Sequence, residues 1–349
     1  MIKSLRIILS PLVLVYSFII KVRNFLFDTK IFKPAKVKAK IISVGNITVG
    51  GSGKTPTSIM ITSYLKSIGK KVGVLSRGYG RTSLGYKFVS DGENINCSVD
   101  ECGDEMFFIS EDLKIPTAVS ESRVEGAKRL IKDAGVDIII LDDAFQHRWI
   151  YRDIDIVVFD QNFLEKVGSL EQKLLPLGSM REPFDSIDRA DIVIINRKFS
   201  GKKEIPDKIK KYFEGKNIFT GYYKSTGIYD VKSHHFFEMQ EFQGQKSLVV
   251  CGVAVPDSFL NALESNKIDI TNKMIFPDHK YYTLKEIQAI RKNFYDTNSY
   301  SVITTQKDAV KFANYSQELD DIDIFYLKIE LIIDNDNAYK ELIHKSVNK

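Results

Sequence analysis

Residues 41–56 read IISVGNITVGGSGKTP, an apolar run that breaks into a glycine-rich turn and ends on Lys54 and Thr55 at the start of a helical pattern. In a P-loop, glycines let backbone N–H groups turn toward a polyphosphate. The lysine then reaches its β and γ oxygens, and the following hydroxyl binds Mg²⁺. Thr48, Val49, Gly50, Gly51, Ser52, Gly53, Lys54 and Thr55 are therefore the candidate nucleotide-binding segment. Thr48 stands at the usual first glycine of GxxxxGK[ST], while Gly45, Gly50 and Gly51 keep the segment flexible.

Downstream, VDIIILDD at 136–143 is an apolar strand that delivers two acids at its end, so that Asp142 or Asp143 can hold the metal of such a site. AKIISV, KVGVLS, GYKFVS, TAVS, IDIVVFD, DIVIINR and NIFTGYY also read as strands, several too uniformly apolar to have a solvated face. Helical spacing covers Thr55 to Ile68, ending before Gly69, and Ser122 to Ala134, ending before Gly135. The expectation is an α/β fold: a P-loop NTPase-like doubly wound parallel sheet over 39–220, a hairpin or connector over 221–245, and a second, smaller α/β domain over 246–349.

The chain has 349 residues with 50 Lys plus Arg against 45 Asp plus Glu, a formal charge of +5. Residues 1–40 hold nine of those bases (Lys3, Arg6, Lys21, Arg23, Lys30, Lys33, Lys36, Lys38 and Lys40) and one acid, Asp28, a net of +8; the remainder carries −3. Charge confined to one end points to an anionic surface there and away from nucleic acid, which would draw basic residues over a working face. Ile7 to Ile20 carries no charge. Its fourteen residues reach about 21 Å as a helix, short of the roughly 30 Å of bilayer hydrocarbon, and no small-residue cleavage site follows. A monotopic helix with a basic linker, together making up residues 1–38, fits better, with Ser10 as N-cap, Pro11 at the first position, and Leu12, Val15, Ile19, Val22 and Leu26 along one side. Packing into the protein's own core is the competing reading. Cys97, Cys102 and Cys251 include no CxxC pair, so neither a disulfide framework nor a cysteine zinc site is expected.

Eight blocks in order, VGNITVGGSGKTP (44–56), SRGYGR (76–81), GDE (103–105), LDDAFQHR (141–148), LLPLGSMREP (174–183), CGVAVPDSF (251–259), FPDH (276–279) and TTQKDAVK (304–311), resemble the tetraacyldisaccharide 4'-kinase family of lipid A kinases. Ala144 replaces the family's usual glycine and Gln306 its usual glutamate, which removes a charge. The resemblance implies ATP as co-substrate, Mg²⁺, an acylated glucosamine disaccharide 1-phosphate as acceptor, and work at the cytoplasmic face of a bacterial inner membrane beside anionic lipid. No nucleic acid and no obligate protein partner are implied.

It further implies Asp104 as base, paired with His279 when the two domains close, and Glu105 near the metal with Thr55, Asp142 and Asp143. An Asp-Glu pair opening a helix also suits the helix dipole. Arg77, Arg81, Arg148 and Arg181 are candidates for the anomeric phosphate or the γ-phosphate, Gln146 and His147 for metal water or substrate, and Ser76 and Tyr79 for sugar contacts. The alternative within P-loop proteins is a membrane-associated switch ATPase or GTPase. INRK at 195–198 lacks the acid of the guanine signature Asn-Lys-x-Asp.

Overall fold

The computed structural model describes residues 11–348. Continuous Ile, Val and Leu leave no face for water in β1 (Lys40–Gly45), β5 (Ile138–Asp142), β6 (Ile154–Asp160) and β7 (Ile192–Asn196), and these strands are buried along nearly their whole length. Beside them lie β2 (Val72–Ser76), β3 (Lys87–Asp91) and β4 (Pro116–Val119). The later strands are β8 (Asn217–Asp230), β9 (Phe236–Phe237), β10 (Ser247–Cys251), β11 (Asn272–Ile275), β12 (Ser301–Thr305) and β13 (Ile324–Ile333).

All thirteen form one sheet in the order β11-β10-β12-β13-β8-β7-β6-β1-β5-β2-β4-β3, with β9 added on β8. Neighbours run parallel except β3 with β4, β8 with β9 and β8 with β13. Strand β8 is the seam between the halves. It pairs parallel with β7 through Asn217 to Gly221, then antiparallel with β13 from Gly221 to Asp230. The first ten residues of 221–245 are thus strand, and β9 folds back on Ile228 and Tyr229.

β1 lies between β5 and β6, where the chain passes into α2 (Lys54–Ser67), so the ends of β1 and β5 open together on a crevice at the topological switch point. Helices α3 (Asp104–Leu113) and α4 (Arg123–Ala134) cover the first half; α5 (Pro256–Ser265), α6 (Leu284–Asp296) and α7 (Gln306–Phe312) cover the second. The last helix, α8 (Asp336–Asn348), returns to the first half. Its Tyr339, Ile343 and Val347 pack with Ile42 and Val44 of β1 and with Ile61 and Leu65 of α2.

The N-terminal helix α1 (Pro11–Asp28) buries only Ile20 and Phe27. Leu12, Val15, Ile19 and Val22 are exposed as expected, and Leu14 (75%), Phe18 (68%) and Phe25 (61%) widen that face. Leu26, at the end of the same side, is half-buried. Ser10, Lys3 and Arg6 lie outside the described residues. Among the described residues, no helix is long and apolar enough to cross a membrane.

The other side of α1 is fastened to the body. Phe27 meets Phe32 at 5.3 Å and Trp149 at 5.0 Å, and the Tyr16 hydroxyl donates to the Arg181 carbonyl at 2.9 Å. Arg23 and Asn24 reach the fully buried carboxylate of Glu182 at 2.6 and 3.2 Å. Arg189 completes that carboxylate's partners at 2.7 Å.

Candidate active site

The turn after β1 is shaped by two glycines in the left-handed region, Gly50 (φ 102°) and Gly53 (φ 100°). A Cβ on Gly53 would stand 2.2 Å from Asn196 Nδ2 and 2.7 Å from the Tyr223 hydroxyl. Asn196 donates to the Ser52 carbonyl at 3.1 Å, and Asn46 donates to the Ser52 hydroxyl at 3.0 Å. Two buried asparagines thus brace the loop. Helix α2 begins at Lys54 with no side-chain cap, which leaves its first N–H groups directed at whatever anion the loop holds.

Against this helix end, Asp142 at the tip of β5 accepts from Ser58 Oγ at 2.8 Å and from Thr55 Oγ1 at 3.2 Å. Burial, and then the negative charge of Glu105, push its carboxyl up to about 6. Asp143 turns the other way (φ 50°). Arg181 Nη1 donates to its two oxygens at 2.9 and 3.1 Å, and Lys54 Nζ lies 3.8 Å away. Burial works against its ionisation, but Lys54 and Arg181 outweigh it and hold this carboxyl below its ordinary value. Asp142 thus has only hydroxyl partners, while its neighbour Asp143 is paired with two cations.

On the facing side, Gly103 (φ 88°) leads into α3; a Cβ there would lie 2.8 Å from the Tyr79 carbonyl. The next residue, Asp104, is buried, and His279 Nδ1 lies 3.2 Å from its Oδ2. The pair expected to join on domain closure is therefore made in this structure. Lys311 Nζ is 3.0 Å from the same oxygen, and Lys307 Nζ is 3.0 Å from His279 Nε2. An ammonium can only donate, so Nε2 is the acceptor and Nδ1 carries the hydrogen given to Asp104. Burial raises the Asp104 carboxyl, but the His279 bond and the charges of Lys307 and Lys311 outweigh burial and hold it well below the usual range. The Tyr79 ring lies against His279 with centroids 4.7 Å apart.

A cavity of about 1020 Å³ joins these groups; Lys54, Thr55, Glu105, Asp143, His279 and Lys307 all line it. Of the substrate candidates, Tyr79 and Arg181 line it too. The others lie outside its lining, and all but Arg77 have other partners. Arg81 pairs with Glu121 at 2.5 Å. Ser76 Oγ accepts from Gly78 N at 3.5 Å, and Arg77 is exposed. Gln146 donates to the Asn46 carbonyl at 2.7 Å. The His147 ring meets the Glu121 carbonyl at 3.2 Å, and burial followed by the Arg123 charge lowers it to about 4, so it is neutral at pH 7. Arg148 pairs with Asp28 at 2.7 Å and covers the Phe27 ring, which docks α1.

Sequence reasoning missed Asn46, Asn196, Lys307, Lys311 and the buried Arg123. The guanidinium of Arg123 donates to the Ser120 carbonyl at 2.6 Å and feels the charges of Asp142 and Asp143. Among the described residues, no three His, Cys, Asp or Glu side chains cluster closely enough to hold a metal by themselves. A cation here would need nucleotide oxygens as further ligands beside Thr55 and the carboxylates.

Comparison with known proteins agrees with this geometry. The sequence model of the LpxK family, described as tetraacyldisaccharide-1-P 4'-kinase, matches residues 5–348. Tetraacyldisaccharide 4'-kinase of Chlorobium phaeobacteroides is 32% identical over 98% of each chain. That of Halothermothrix orenii is 34% identical over 98% of this chain and 93% of its own. The crystal structure of LpxK from Aquifex aeolicus in complex with ATP superposes with a TM-score of 0.78 at 28% identity, covering 98% of this chain and 99% of that one.

Proposed function

The chain belongs to the tetraacyldisaccharide-1-P 4'-kinase family, and from that membership we infer that it is a kinase carrying the γ-phosphate of ATP to the 4'-hydroxyl of a tetraacylated glucosamine disaccharide 1-phosphate in lipid A synthesis. The observation that carries the reading to individual residues is the buried Asp104 carboxylate held by His279, whose ring lines one cavity with Lys54 and Thr55. The loop Thr48–Thr55 and the open end of α2 take the phosphates, with Lys54 on the β and γ oxygens. Asp104 accepts the hydroxyl proton.

A carboxylate held this low is a weak base. Phosphoryl transfer tolerates one, because its loose transition state leaves little bond to the nucleophile and so little acidification of the hydroxyl. His279 keeps Asp104 in place through Nδ1–H, and Tyr79 and Arg181 border the acceptor's path. The hard oxygens of Thr55, Asp142, Asp143 and Glu105 suit Mg²⁺, and the raised carboxyl of Asp142 fits a group waiting for a cation. When bound, the metal neutralises charge across the β and γ phosphates.

The outward face of α1 (Leu14, Phe18, Phe25 and their neighbours) enters the headgroup layer of the cytoplasmic leaflet as a peripheral anchor, and the basic residues around it meet anionic lipid. The cleft is thereby brought to an acceptor that cannot leave the bilayer. The test is transfer of label from γ-³²P ATP to an acylated disaccharide 1-phosphate in mixed micelles. Wild type should label the lipid, and Lys54→Ala should not. ATP binding without any labelled lipid in wild type would overturn the reading.

A further inference from the structure

Helix α7 carries two lysines four residues apart on one face, Lys307 and Lys311, in different situations. Lys311 Nζ sits 3.0 Å from Asp104 Oδ2 and 3.4 Å from Asp308 Oδ1. Asp308 is fully buried and accepts the Gly252 N–H at 2.8 Å and the Thr305 hydroxyl at 2.9 Å. Lys311 is thus a fixed counter-charge, and it does not line the cavity.

Lys307 does line it. Its ammonium lies 3.4 Å from Glu105 Oε1, 3.4 Å from Asp278 Oδ1 and 4.0 Å from Asp104 Oδ2, with its shortest contact, 3.0 Å, to His279 Nε2. Tight charge-assisted bonds close to about 2.7–2.9 Å; this cation is shared among three acids and held tightly by none. The cluster has four carboxylates, Asp104, Glu105, Asp278 and Asp308, against the two lysines. A polyphosphate entering beside it adds further negative charge, which rewards a cation able to follow that charge.

We propose that Lys307 is a catalytic residue: its ammonium passes from Glu105, Asp278 and His279 to a non-bridging oxygen of the transferring γ-phosphoryl group. The second half of the chain thereby supplies in cis the cation that an arginine finger supplies in other P-loop enzymes. In the step, the bond from the γ phosphorus to the β-bridging oxygen breaks with its electron pair left on the diphosphate. The bond to the 4'-oxygen forms, and the hydroxyl proton goes to Asp104. Lys307 keeps its protons throughout. The inference rests on the kinase reading above.

The test is steady-state transfer to the acylated disaccharide 1-phosphate by wild type, Lys307→Met and Lys307→Arg, each with ATP and with ATPγS, alongside ATP binding by calorimetry. Lys307→Met should lower kcat about 10²- to 10³-fold with the ATP Kd within about threefold, and Lys307→Arg should recover part of it. The ATP-to-ATPγS rate ratio should shrink in Lys307→Met, because the contact that sulfur weakens is already gone. If Lys307→Met does not fold, an altered ratio in Lys307→Arg supports the proposal and an unaltered one refutes it. Wild-type kcat in a folded Lys307→Met, or a loss with the thio ratio unchanged and no recovery by arginine, leaves a counter-ion only and overturns it. In that case the wild type still labels the lipid. A wild type that binds ATP and labels nothing overturns the kinase reading and this inference with it.

Discussion

Asp142→Asn should make the cation-free protein more stable while removing its activity. The Asp142 side chain is 1% exposed, and its carboxyl is pushed from 3.8 up to about 6 by burial and then by Glu105. Protonated in the folded chain up to about pH 6 but in the unfolded chain only up to about pH 4, it makes the folded state bind more protons across that window. Its contribution to stability therefore falls as pH climbs from about 4 to about 6, and the full cost, about 2–3 kcal/mol, is present above that. Asparagine keeps an oxygen for Ser58 Oγ, which donates to Asp142 at 2.8 Å, but carries no charge to bury. Urea unfolding midpoints in EDTA at pH 8 and pH 4.5, for wild type and Asp142→Asn, give the comparison. Effects of the substitution that do not depend on protonation cancel between the two pH values. The variant should gain about 2–3 kcal/mol relative to wild type at pH 8 and only about 1 kcal/mol at pH 4.5. A difference between the proteins that is the same at both pH values would refute the reasoning.

Asp104→Asn and His279→Ala should each lower kcat by about 10² to 10⁴ with ATP affinity little changed, read by stopped assays and calorimetry; losses under tenfold would remove the pair from catalysis. Glu182→Ala strands Arg23 and Arg189 around a buried position and should cost about 3–5 kcal/mol. Limited proteolysis should then release α1 early, and an unchanged cleavage pattern would contradict its anchoring there. Replacing Leu14, Phe18 and Phe25 together with serine alters only the exposed face. Recovery with anionic vesicles and lipid phosphorylation should both fall while ATP binding stays, whereas equal loss of all three would assign that face to the core.

Much of this architecture was legible because burial on both faces selects unbroken apolar strands. IIILD and IVIIN appear where uniform hydrophobicity placed them, and α2 differs by one residue at each end from the helix expected over Thr55 to Ile68. Strand β8 was only half legible. NIFTGYYKSTGIYD mixes lysine, threonine and glycine with aromatics, and its role as a seam depends on two partners far apart in sequence. The P-loop and the GDE and FPDH groups come together as the family resemblance implied; the residues alone would have read as a capped helix and a turn.

Gln146, His147 and Arg148 follow the two acids in sequence yet line no part of the cavity, because the left-handed turn at Asp143 carries them toward Asn46, Glu121 and Asp28. The two lysines of QKDAVK had a signal, their spacing of four; only the fold reveals that both face Asp104. Gln306, the departure from the family's glutamate, accepts the Ile329 N–H at 3.2 Å and ties α7 to β13. Neutral glutamine meets that need.

The most direct test of the central claim is where the phosphate goes. Wild-type protein incubated with Mg·ATP and a tetraacylated disaccharide 1-phosphate should yield a lipid whose new ³¹P signal correlates in a ¹H–³¹P spectrum with the proton on C4' of the distal sugar, and Asp104→Asn should yield almost none. A new phosphate correlating with any other sugar proton, or free phosphate released with the lipid unchanged, would contradict the account.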